Sequence, residues 1–240
     1  MRWGLAVTAV SVAALLGMLA AKWPTPQRAA DAAAGHVDPP VAAQGLPWQV
    51  QVQADGSARV MGLHLGVDTL AEVRARVGDG LQVALVARLG EVGALEAFAD
   101  PFHAGFISGR LVLAFDVPPD KLARWRDAAS GSAPMEGGAR RFTLRGDDLA
   151  AAERAPLAGM SFVPLLRLTE ADIRQRFGAP GARRALDDGA TLLVYPALGA
   201  SATVAEGRRG VIQYVAPRDA ARLGAFDAPT TPASAASAAR

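Results

Sequence analysis

No cysteine occurs anywhere in the 240 residues. That excludes a disulfide framework, a thiolate metal site, a catalytic thiol and the acylated cysteine of a bacterial lipoprotein. Lysine is nearly missing too, at Lys22 and Lys121 only, and the formal charge is just +2. No Lys/Arg run is long enough for a nucleic-acid footprint, and aromatics are not interleaved with the basic residues, so no nucleic acid is expected as partner. The three histidines, His36, His64 and His103, each lack a second ligand at helical or hairpin spacing, which leaves no expectation of zinc. A phosphate loop, a Gly-x-Ser-x-Gly elbow and a His-Glu-x-x-His helix are all absent. The sequence therefore offers no catalytic, cofactor-binding or metal-ligating residues, and it reads as a non-enzyme.

What is present begins with an uncharged apolar run at residues 3–21, WGLAVTAVSVAALLGMLAA, flanked by Arg2 and Lys22. As a helix it spans roughly 29 Å, enough for a bilayer's hydrocarbon core. Trp3 and Trp23 stand one at each end, where an indole prefers the headgroup layer. Residues 1–23 thus read as an uncleaved inner-membrane anchor. The alternative is a signal peptide whose cleavage leaves a secreted periplasmic protein; small-residue sites such as Ala30-Asp31-Ala32 lie well beyond the apolar run. Residues 24–47 hold five prolines and almost no large apolar side chains, so they form a stiff, disordered tether, and 225–240 make a tail of the same kind. The folded part is expected outside the cytoplasm.

Inside it, one phrase is said twice. From 69 to 78 against 169 to 178, five positions are identical and three more are conservative. In the later copy Thr169 and Asp172 make a capping box, with Leu168 and Ile173 as a hydrophobic staple across it. Ile173 and Phe177 form the buried stripe, Gly178 supplies the stop and Pro180 forbids continuation. The earlier copy repeats the grammar with Thr69, Glu72, Val73, Val77 and Gly78, but Asp68 replaces the staple leucine.

Strand-like runs follow each helix: LQVALVARL, GALEAFA and LVLAFDVP after the first, TLLVYP, SATVAE and VIQYVAP after the second. The closing strands match at an offset of 99, pairing Val112, Leu113, Phe115 and Pro118 with Val211, Ile212, Tyr214 and Pro217. An internal duplication follows. Between the copies, 120–129 reads as a helix with Leu122, Trp125 and Ala129 on one face, 130–138 as a flexible loop, and 140–145 as a strand. Asp147 is placed to cap a short Ala-rich helix. Ahead of the first copy, WQVQVQ turns at Asp55-Gly56 and returns through ARVMGL, a hairpin with one dry face.

A short capped helix ending in Gly-x-Pro, followed by a small antiparallel sheet, resembles the bacterial SmpA/OmlA (BamE-type) envelope module. The residues that carry the likeness are LTEADIRQRFGAP and the strands LLVYP and VIQYVAP, with a fainter copy from GLHLGVDTLAEVRARVG. The stretch RQRFGAP…LLVYPALG…VIQYVAPRD is also similar to a group of exported proteobacterial proteins. The resemblance implies an envelope location and a protein-binding style. The chain departs from the lipoprotein pattern by lacking the lipidated cysteine and by having two modules rather than one.

The expected fold class is α+β: two tandem small modules at 48–130 and 131–224, each a short capped helix plus a 3–4 stranded antiparallel sheet, behind an N-terminal membrane helix. The expected function is that of a membrane-tethered, non-enzymatic protein-interaction module of the cell envelope, with an envelope protein as partner and no cofactor. The alternative is a periplasmic small-ligand-binding protein or hydrolase with a site between the modules, drawing on Asp187, Asp188 and Arg183. Asp147-Asp148 and Asp187-Asp188 are otherwise capping or turn residues, and Arg140-Arg141, Arg183-Arg184 and Arg208-Arg209 are solvated loop arginines. In the stretch PFHAGFISG, Phe102, His103 and Phe106 sit in a Gly-containing loop, with two phenylalanines expected to fold onto the sheet edge and a partner-binding aromatic tip as the alternative. Ser108 and His103 form no recognisable catalytic arrangement.

Overall fold

The computed structural model describes residues 45–227. The apolar segment 3–21, most of the tether and the tail from 228 lie outside them. No helix among the described residues is long and apolar enough to cross a membrane.

The chain opens with a three-stranded meander, β1 (Gln51–Val52), β2 (Ala58–Val60) and β3 (Leu63–Leu65). The first helix, α1, covers Leu70–Val77, and strands β4 (Gln82–Arg88), β5 (Ala94–Ala104) and β6 (Ile107–Phe115) follow it. Next come α2 (Pro119–Asp127), β7 (Gly131–Pro134), β8 (Ala139–Thr143), α3 (Gly146–Ala152) and β9 (Leu157–Pro164). The second helix copy is α4 (Glu170–Phe177), trailed by β10 (Ala182–Ala185), β11 (Thr191–Tyr195), β12 (Ala200–Val204) and β13 (Val211–Val215). The architecture is α+β, with one large antiparallel sheet and one small one.

Both helix copies form as their sequences dictate. Thr69 and Thr169 each accept a bond from the backbone of the third helical residue, and Glu72 and Asp172 each reach back to the cap amide. Each cap is worth about 1 kcal/mol. Gly78 at φ 86° and Gly178 at φ 87° end the helices in a conformation that favours glycine. Leu168 and Ile173 are both buried, as the staple requires.

The strands that follow the two similar helices enter one ten-stranded sheet, ordered β10-β11-β12-β13-β9-β6-β5-β4-β8-β7. β9 is the seam. It pairs with β6 from Gly109 opposite Pro164 to Phe115 opposite Leu157, and with β13 from Ile212 opposite Phe162 to Val215 opposite Gly159. Alternation places Leu111, Leu113 and Phe115 of β6, Met160 and Phe162 of β9, and Ile212 and Tyr214 of β13 on one face. Leu70, Val73, Leu122, Trp125 and Ile173 from the helices join them in a single core. At roughly 1.5–3 kcal/mol per fully buried large side chain, this layer is the main stabilising term.

Three expectations shift. The 130–138 segment is not all loop, because β7 pairs through its backbone with β8. Arg183 and Arg184 lie on β10 rather than in a loop. Asp147 sits inside the first turn of α3, whose N-cap is Arg145, and no side chain caps that helix.

Candidate functional site

The N-terminal hairpin turns where Asp55-Gly56 demands it: the Ser57 amide donates to Asp55 Oδ1 at 2.9 Å, and Gly56 takes φ +77°. The Ser57 hydroxyl lies 2.6 Å from Asp55 Oδ1 and 2.7 Å from His64 Nε2. A carboxylate only accepts, so the hydroxyl donates to Asp55 and its oxygen accepts from the Nε2–H of His64. Burial, reinforced by the nearby Arg59, lowers the His64 pKa and keeps the ring neutral. Ser57 is fully buried, and its imidazole neighbour donates to it instead of taking its proton. This trio therefore cannot act as a nucleophile and base. It is a structural knot. One residue further into the fold, buried Asp68 accepts from the His64 amide at 2.7 Å and from Arg76. Arg218 closes the knot from the far end of the chain, donating to Gly66 O at 3.0 Å while its amide donates to Gly56 O at 3.0 Å.

Holding the hairpin against α1 leaves a groove of about 840 Å³ between them. Its walls include Val50, Gln51, Arg59, Met61, Val77 and the ring of Phe102. Met61, at φ 52°, is the one described non-glycine residue with positive φ, a strained backbone position at the groove's rim. The ionisable lining is entirely basic, Arg59 and Arg76. Arg76 is tied to Asp68, whereas Arg59 has no ion-pair partner among the described residues. β1 borders the groove and pairs only with β2 among the described strands, so its outer edge presents main-chain donors and acceptors. A trough of mixed polar and apolar lining, basic in charge and beside an open strand edge, suits an extended peptide carrying acidic side chains.

The matching flank of α4 lies against aromatic rings instead. Arg176, the counterpart of Arg76, stacks 4.7 Å over the Trp48 ring, and Phe177, the counterpart of Val77, packs 5.3 Å from Tyr195. Tyr214 donates to Pro47 O at 2.7 Å and so holds the Trp48 segment in place.

The residues singled out for a site between the repeats are not brought together. Arg183 makes a bidentate pair with Glu170, at 3.0 Å from Nε and 3.0 Å from Nη2. Asp188 accepts from the Ala190 amide at 3.0 Å and pairs with Arg208 at 3.0 Å, turn work that holds its carboxyl below the ordinary range. Asp187 is exposed beside it. His103 and Ser108 do meet, Nδ1 to Oγ at 3.0 Å, as opposite residues of the β5–β6 hairpin. The two phenylalanines of that hairpin part company: Phe102 is buried edge-on against Phe162 at 6.2 Å, while Phe106 is 81% exposed.

One group escaped the sequence reading altogether. On the sheet face opposite the helices, Glu96 is buried, and desolvation pushes its carboxyl up to about 8. Its Oε2, the Ser161 hydroxyl and the Gln213 amide nitrogen are buried on this one face without hydrogen-bond partners among the described residues. The run ALEAFA announces a strand, yet nothing local in it says that both faces become dry. The chain matches no protein-family model, no curated protein and no solved structure.

Proposed function

We propose that this chain is a membrane-tethered cell-envelope protein, held to the inner membrane by residues 3–21, whose folded part acts in the periplasm as a non-enzymatic protein-interaction module. Its two repeats are read as SmpA/OmlA-like units that arose by duplication and fused their strands into one sheet. The partner is an envelope protein, and the segment recognised is extended and acidic. The observation that supports this reading is the basic groove between β1 and α1, with a strand edge and an Arg59 guanidinium that have no partner among the described residues. A bound strand adds main-chain bonds to β1, buries apolar side chains against Val50 and Phe102, and sets a carboxylate beside Arg59.

Two measurements test it. A reporter active only outside the cytoplasm, fused after residue 60, is expected to be active; an inactive fusion refutes export. Full-length protein in detergent is expected to bind extended acidic peptides from a peptide library, with Arg59→Glu weakening binding about tenfold or more. Equal binding by the variant refutes the groove.

A further inference from the structure

Seven large apolar side chains stand out into solvent among the described residues, and three of them gather at one edge: Phe106 at 81% exposure, Leu165 at 48% and Leu166 at 41%. Phe106 crowns the β5–β6 hairpin, whose two-residue loop has Gly105 first at φ +60°. Leu165 and Leu166 follow the end of β9, and the Leu165 amide donates to Ser108 O at 2.8 Å, which lays them alongside the hairpin tip.

This edge is built to hold its side chains out. Below the tip, His103 and Ser108 are bonded across the hairpin and Phe102 packs edge-on against Phe162, while Phe106 points out at 81% exposure. A fixed aromatic loses little conformational freedom when it enters a new environment. Arg167 comes next along the chain with no ion-pair partner among the described residues, while the carboxylate of Asp100 on β5 is neutralised by Arg110 at 2.8 Å.

The chain from the N-terminus arrives at the same place. Leu46 packs on the tip, so that a side chain at Gly105 would come within 3.0 Å of Leu46 Cδ2. The described chain thus enters the fold beside this tip, and the apolar run at 3–21 lies upstream of that point in the sequence.

We propose that the Gly105-Phe106 tip and the Leu165-Leu166 turn form a second, reversible contact with the lipid surface. The aromatic ring and the two leucines sink into the headgroup layer and Arg167 faces anionic lipid phosphate. The proposal rests on the tether read above and adds to it an orientation: the folded part lies against the membrane by this edge.

The cysteine-free chain makes the test clean. Phe106→Cys in the full-length protein carries a polarity-sensitive fluorophore, and the protein is reconstituted into vesicles of phosphatidylethanolamine and phosphatidylglycerol. Leu89→Cys, at a fully exposed turn on the other hairpin of the same strand, is the control. The expected result is a blue-shifted probe at 106, quenched several-fold more by brominated acyl chains than the probe at 89, with Leu165→Cys behaving like 106. If the protein floats with the vesicles but the 106 probe matches the 89 probe, the tether stands and the docking edge is refuted. If it does not float, the tether fails and the edge with it. A shift at 106 that appears only when envelope protein is added, and not with lipid, assigns the tip to a protein partner and likewise overturns the proposal.

Discussion

The two similar helices, α1 and α4, share five of the ten residues from cap to stop, yet they meet different neighbours. At α4, Leu168 and Ile173 are both buried at the staple positions, and Arg176 and Phe177 contact the rings of Trp48 and Tyr195. At α1, the staple position is Asp68, buried and committed to the His64 amide and to Arg76, and the helix flank borders an open groove. Arg76 and Arg176 are both exposed and Val77 and Phe177 both half-buried, so the two helices differ in their neighbours: aromatic rings beside α4, a groove beside α1. At the staple position leucine is buried in one copy, whereas aspartate in the other accepts from the His64 amide and from Arg76 and so ties the hairpin to α1.

The largest expected difference between the halves comes from pH. Glu96 lies on the first repeat's strand β5, whereas Gln213 and Ser201 hold the equivalent face of the second repeat without a titrating group. Its folded pKa, about 8, exceeds the ordinary 4.5, so between those values the folded chain holds a proton that the unfolded chain has released. The stabilisation is full below pH 4.5 and is lost as pH rises toward 8, by on the order of 4–5 kcal/mol. Urea titrations at pH 5 and pH 8.5 are expected to show this loss, and Glu96→Gln is expected to flatten it. A pH-independent wild type would show the carboxyl to be solvated.

Exchanging the staple residues breaks the comparison more directly. Leu168→Asp buries a carboxylate with none of the donors that Asp68 enjoys, and should cost about 3–4 kcal/mol in urea unfolding. Asp68→Leu copies the second repeat but strands the His64 amide and frees Arg76. It should cost about 2 kcal/mol even though it adds apolar surface. Were Asp68→Leu to stabilise the protein, the knot would not be what distinguishes the first repeat. The smallest expected effects are the caps: Thr69→Ala and Thr169→Ala should each cost about 1 kcal/mol and agree with each other, since their geometry is the same.

What was legible beforehand follows the range of the interactions. Thr69, Glu72, Thr169, Asp172 and the two terminal glycines act within one helix turn, so the chain spells them out. Leu122 and Trp125 on α2 declare their buried face through spacing alone. β7 and β10 were invisible because Gly131–Pro134 and Ala182–Ala185 bury almost nothing and are strands only by backbone pairing to a neighbour. The hairpin turn at Asp55-Gly56 was readable, but β1 holds just Gln51 and Val52, and the dry face expected of WQVQVQ is not dry at Val52, which is exposed. The Ser57–His64–Asp68 knot and the groove beside it depend on how hairpin and helix meet, and Arg218, some 150 residues later, takes part in that meeting. No local pattern encodes such an encounter. Phe102 and Phe106 make the same point, since their opposite fates are decided by the register of β5 with β6 and by Phe162.

The reading of the first repeat as the working surface is tested most directly by placing a photo-crosslinking residue at Ala75 or at its counterpart Gln175, both exposed on their helices, in cells making the full-length protein. The expected result is one envelope protein captured from position 75, absent from position 175, and lost when Arg59 is changed to Glu. Equal capture from both positions, or none from position 75, would contradict it.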